Sequence, residues 1–148
     1  MNDTQKKALS ALTASAKAFG SERSEGSYDR LINDLLACFL TGATVFITID
    51  GELDSGEFTP GFVELSDGRE YIAVYTTRSE IEKAGTPHFT DLSVYRLFQI
   101  MAEWKDIGGM VINPFTEPVC FVRQRDVLML KENFSYIIEQ PDGSGYRS

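Results

Sequence analysis

One hundred and forty-eight residues suit a single domain, and 43% apolar with 11% aromatic residues supply one packed core, which argues against global disorder. Twenty-two acids against 14 bases give a net charge of −8, which argues against a surface built to hold nucleic-acid phosphates. No apolar run approaches the roughly 18–20 residues that span a bilayer, so no membrane partner is expected.

In chain order, residues 4–18 read as a helix, because Leu9, Leu12, Ala16 and Phe19 recur at spacings of 3, 4 and 3. The stripe is narrow, so residues 1–20 are expected to form a loosely attached N-terminal helix that Gly20 stops. Ser10, Thr13, Ser15 and Lys17 interrupt its apolar runs, so no secretory signal is read. Gly20–Ser27 reads as a linker, with Ser27 as the N-cap of the next helix. In that helix Tyr28, Leu31, Ile32, Leu35, Leu36 and Phe39 fall within about 140° of one another at the helical step. Thr41-Gly42 ends it.

Strands follow over 43–49, 61–66 and 70–76, the last two joined by an Asp67-Gly68 hairpin turn. Thr77 and Glu80 match a capping box and open a short helix that ends near Ala84-Gly85. Thr86–Asp91 reads as a loop, and 92–105 as a helix with Val94, Leu97, Phe98 and Met101 on its main face. Gly108-Gly109 breaks it. Strands at 109–113 and 119–122 flank a turn from Asn113 to Pro118. Val127, Leu130, Phe134, Ile137 and Ile138 then give helical spacing over 125–139, before a frayed tail at 141–148. The class is α+β: a single mainly antiparallel sheet of about five strands with helices packed on it, in one domain spanning 27–140.

Between Tyr71 and Leu130, the run Tyr75-Thr76-Thr77-Arg78-Ser79-Glu80, the amphipathic helix after it, and Gly109-Met110-Val111-Ile112-Asn113-Pro114 stand out. With the closing strand and helix from Val119, this stretch resembles the N-terminal domain of the SseB (enhanced serine sensitivity protein B) family. The chain departs from that pattern at Tyr75, where Phe is usual, and at Phe115, where Gly is common, and the second domain of longer members is not expected in it. The resemblance implies a small bacterial cytoplasmic protein without an established enzymatic activity and with no catalytic residues to carry over.

The candidate chemistries each lack a part. Asp50, Glu52 and Asp54 alternate like the start of a calcium loop, but Ser55 and Gly61 stand where that loop needs Gly and a bidentate Glu. Residues 50–70 still hold seven acids and one base, so Asp50, Glu52, Asp54 and Glu57 are read as an acidic contact for a basic partner. His88, the single histidine, has no ligand spacing around it, so no metal is expected. Cys38 and Cys120 lie in the apolar runs LLACFL and PVCFV, which makes each a poor nucleophile and fits reduced thiols in the cytoplasm. Gly108-Gly109 precedes a strand, so it cannot aim helix amides at a phosphate. Arg123 and Arg125 are read as solvating a strand end or pairing with Asp126, with a clamp on a carboxylate or phosphate as the lesser alternative.

No catalytic constellation and no cofactor motif emerges. The chain reads as a non-enzymatic module that binds a protein or peptide. The alternative is a small acidic secretion-chaperone-like or immunity-type protein that wraps a partner chain, and an enzyme working by the loop carboxylates alone ranks last. On the 92–105 helix, Ile100 lies about 200° from Phe98, beside Arg96 and Glu103. Arg96, Ile100 and Trp104 are therefore expected to border an interface with a partner or a second copy of the chain.

Overall fold

The computed structural model describes residues 1–50 and 59–139. Its first helix, α1 (Asp3–Ser21), starts with reciprocal bonds: the Gln5 amide donates to Asn2 Oδ1 and the Asn2 amide to Gln5 Oε1, both at 2.9 Å. Gln5 Nε2 also donates to the Thr41 carbonyl at 2.9 Å, closing the last turn of α2 (Glu25–Thr41). The linker expected over Gly20–Ser27 is only Glu22–Ser24, because the helices extend into it from both sides. Ser24, not Ser27, caps α2, and Ser27 is its capping-box partner. The helix read as loosely attached lays Leu9, Leu12, Ala16 and Phe19 into the main core, each under 10% exposed. Buried Ser15 of α1 donates to the Asp34 carboxylate of α2.

Among the described residues, seven strands form two sheets instead of the single sheet expected. Strands β1 (Thr44–Asp50), β2 (Thr59–Pro60) and β5 (Phe89–Ser93) form the first, in the order β2-β1-β5. Strands β3 (Phe62–Glu64), β4 (Glu70–Val74), β6 (Gly109–Ile112) and β7 (Cys120–Arg123) form the second, in the order β3-β4-β6-β7. The sheets meet where Phe46 and Tyr75 exchange backbone hydrogen bonds of 2.8 and 2.9 Å. Pairing is antiparallel except between β4 and β6, which run parallel. That parallel pair needs a crossover. Helix α3 (Arg78–Glu82), β5 and helix α4 (Val94–Glu103) supply it. All of β6, and β4 beyond Glu70, are buried, as parallel strands covered on both faces must be.

The main core lies on one face of the second sheet and takes in Val45, Ile47 and Ile49 of β1 from the first. Ile72, Val74, Met110 and Ile112 meet Leu31, Leu35 and Phe39 of α2, Leu97 and Phe98 of α4, and Val127 and Leu130 of α5 (Gln124–Ile138). The other face carries a smaller cluster, Ala73, Tyr75 and Ile81, packed with Phe46, Val63 and Phe89. Strand β5 replaces a stretch read as loop and helix start. Its sequence, FTDLS, has little apolar pattern of its own, and pairing from Thr44↔Ser93 to Thr48↔Phe89 holds it extended. Among the described residues, no helix is long and apolar enough to cross a membrane.

Candidate functional site

The C-terminal ends of β4 and β6 meet at Asn113, whose backbone is left-handed at φ 52°. Asparagine tolerates that conformation because its short side chain bonds locally. Here Asn113 Oδ1 accepts from the Thr76 amide and Nδ2 donates to Thr76 Oγ1, both at 2.9 Å. Thr13 Oγ1 of α1 donates to Thr76 Oγ1 at 2.8 Å. A cavity of about 200 Å³ opens beside this joint, lined in part by Lys17, Glu80, Thr116 and Cys120. Thr116 Oγ1 donates to Glu80 at 2.7 Å, and Lys83 Nζ donates to Glu80 at 3.2 Å. These groups are committed to one another, and together they tie α1, α3 and the β6–β7 turn to the strand ends.

Cys38 and Cys120 are free and buried. Burial pushes both thiols up from 9.0 to about 12, with Asp34 adding to the rise at Cys38 and Arg23 opposing it at Cys120. His88 is exposed, and its backbone amide bonds to Thr86 Oγ1 at 3.0 Å. Both thiols are expected to resist alkylation in the native protein near pH 8 and to react in urea, and rapid native labelling would contradict their burial. The unfolded chain loses these protons near pH 9, while the folded chain keeps them to about 12. The two thiols therefore stabilise the fold fully below pH 9, and that contribution is lost as pH rises from 9 to about 12. Among the described residues, no group of three or more His, Cys, Asp and Glu is placed to hold a metal ion.

The residues singled out from sequence are not brought together. Asp50 is exposed at the end of β1, and Glu52, Asp54 and Glu57 lie outside the described residues. Arg96 is exposed, and Trp104 is 38% exposed with its ring edge-to-face on Phe62 at 5.1 Å. Ile100, read as lying on the polar side, is buried at 6% exposure. Helix α4 touches α2, α5 and β5, so more than one stripe of it is covered.

A different surface gathers around Phe121 of β7. Four aromatic rings run in contact, Tyr28 to Phe19 at 5.1 Å, Phe19 to Phe121 at 6.3 Å and Phe121 to Tyr71 at 5.9 Å. Arg23 lies over the Phe19 and Phe121 rings at 5.5 and 5.3 Å and donates to the Val119 carbonyl. Arg123 lies over Tyr28 at 4.8 Å, and its Nε donates to Asp126 at 3.0 Å. Tyr28 donates its hydroxyl to Asp126 at 2.5 Å, and burial followed by that bond raises its pKa above the ordinary tyrosine value.

Next to this ladder is an open groove of about 610 Å³. Tyr71, Gly108, Phe121 and Leu128 give it apolar lining, and Arg69, Lys105, Arg123 and Arg125 give it charge. Asp67 is the one acid among the described residues that line it. Its carboxyl is held below the usual range, first by the Tyr71 hydroxyl at 2.6 Å and then by the Arg69 amide at 2.9 Å. Behind the groove, Gln124 Nε2 donates to the Met101 carbonyl at 2.8 Å and fastens the last turn of α4. Arg123 and Arg125 were visible in the sequence as a pair. The rest of the surface comes from α1, α2, the β3–β4 turn and the loop after α4, and no local pattern links those segments.

The family model of the SseB protein N-terminal domain matches residues 8–128, from within α1 to within α5. No curated protein and no solved structure matches the chain.

Proposed function

This chain belongs to the SseB protein N-terminal domain family, and from that premise we propose that it is a non-enzymatic module that binds a partner protein through the groove beside Phe121. The observation that carries this reading is the combination of a run of tilted and edge-to-face aromatic rings with arginines laid over them, the residue types enriched where proteins bind one another. Two features support a non-catalytic role. Both thiols are buried in neutral form, and Thr13, Asn113, Thr116 and Glu80, which line the cavity at the strand ends, are spent on internal bonds. Buried free cysteines also fit a reducing compartment, and we place the module in the bacterial cytoplasm.

Quantitative affinity purification from the native cell tests this. A partner recovered with the wild-type chain is expected to be depleted about tenfold or more with Lys105→Glu/Arg125→Glu. Both side chains are exposed, so the double variant is expected to melt with the wild type. Equal recovery of every partner by wild type and variant would move the contact elsewhere.

A further inference from the structure

Resting on that reading, we propose that the groove takes an acidic peptide segment of the partner, with a carboxylate held between Lys105 and Arg125 and apolar side chains laid on Phe121 and Leu128. The charge is the first argument. The chain as a whole carries −8, yet four of the groove's lining residues are basic and one is acidic. Arg123 is already paired with Asp126, and Arg69 lies next to Asp67. Lys105 and Arg125 have no ion-pair partner among the described residues, so two cations face the groove uncompensated. The start of α5 is the second argument. Its N-cap residue, Arg123, supplies no side-chain hydrogen bond; the Gln124 amide bonds the Gly108 carbonyl and Asp126 puts one carboxylate in the first turn, itself shared with Tyr28 and Arg123, so the positive end of this 15-residue helix is only partly compensated where Arg125 sits. A carboxylate there would gain charge-assisted bonds from Arg125 and Lys105 and the favourable end of the helix. The apolar lining is the third argument. Half-buried Phe121 and Leu128 offer surface that a bare inorganic anion leaves unused but a peptide side chain covers. A nucleic acid fits less well. Its affinity rests on neutralising many phosphates, and this groove offers two cations without an ion-pair partner among the described residues, in a chain of net charge −8.

Fluorescence anisotropy on the full chain decides it. The probe is a labelled peptide of about a dozen residues alternating Glu or Asp with Leu and Phe. The controls are its Gln/Asn counterpart and a labelled single-stranded RNA of similar length. The acidic peptide is expected to bind at least about tenfold more tightly than the neutral one, to weaken with added salt, and to lose about tenfold or more with Lys105→Glu/Arg125→Glu. Phe121→Ala is expected to weaken the acidic peptide as well, with circular dichroism confirming that each variant is folded. Equal binding of the neutral peptide, still lost in Phe121→Ala, would overturn the acidic preference and leave the groove as a protein contact. Tighter binding of the RNA, or no binding of the acidic peptide, would overturn the proposal. Loss of the native partner in the purification above would then still support the broader reading.

Discussion

Phe39→Ala is expected to destabilise the fold by about 3–5 kcal/mol, read from urea melts of wild type and variant. Phe39 is fully buried on the inner face of α2 and stacks on Phe98 of α4, with ring centroids 4.8 Å apart at 20°. Tyr95 tilts against it at 5.5 Å. Removing the ring forfeits its burial and opens a cavity between two helices that the second sheet holds in place, so relaxation recovers little. Leu35→Ala, one turn earlier on the same face, is expected to cost about 2–5 kcal/mol. A loss below about 0.5 kcal/mol for either would mean that this face does not pack as described.

Gly109→Ala is expected to cost about 3 kcal/mol or more, and to leave little folded protein if the total stability is modest. Gly109 opens β6 at φ 142°, a conformation that L side chains rarely adopt. A methyl group there would lie 1.9 Å from the Val122 carbonyl oxygen and 2.8 Å from the Gln124 amide. Both contacts are backbone, one in the paired strand β7 and one at the first residue of α5, so no side chain can swing away. The clash would push β7 and the start of α5 off β6, and the groove beside Phe121 would go with them. Gly26→Ala is the control. Gly26 sits in the first turn of α2 with nothing within 4 Å of the added carbon, and there alanine is expected to stabilise by up to about 1 kcal/mol. Comparable melts for Gly109→Ala and wild type would contradict the close approach of β6 and β7.

Much of the fold was legible because its signals are local. The Asp67-Gly68 turn, the Thr77 cap and the apolar face of α2 each depend on a few neighbouring residues, and all three stand where the sequence put them. The Asn113-Pro114 motif that carried the family resemblance also has a local task, since Asn113 bonds Thr76 and joins the ends of β4 and β6. What the sequence hid depends on distant partners. Strand β5 exists because β1 pairs with it, and Ile100 is buried because α4 has several neighbours. The Arg96–Ile100–Trp104 interface thereby loses its central exposed residue. The groove was hidden for the same reason. Arg69, Tyr71, Lys105 and Arg125 are scattered along the chain and converge only when β4, β6 and β7 pair and α5 follows.

Amide chemical-shift mapping by two-dimensional NMR, with the acidic peptide titrated into labelled full chain, tests most directly that this groove is the contact. Shifts are expected to concentrate on residues 69–71, 104–108 and 121–128. Shifts centred instead on Thr76, Asn113 and Thr116, or on the exposed end of β1 at Asp50, would contradict it.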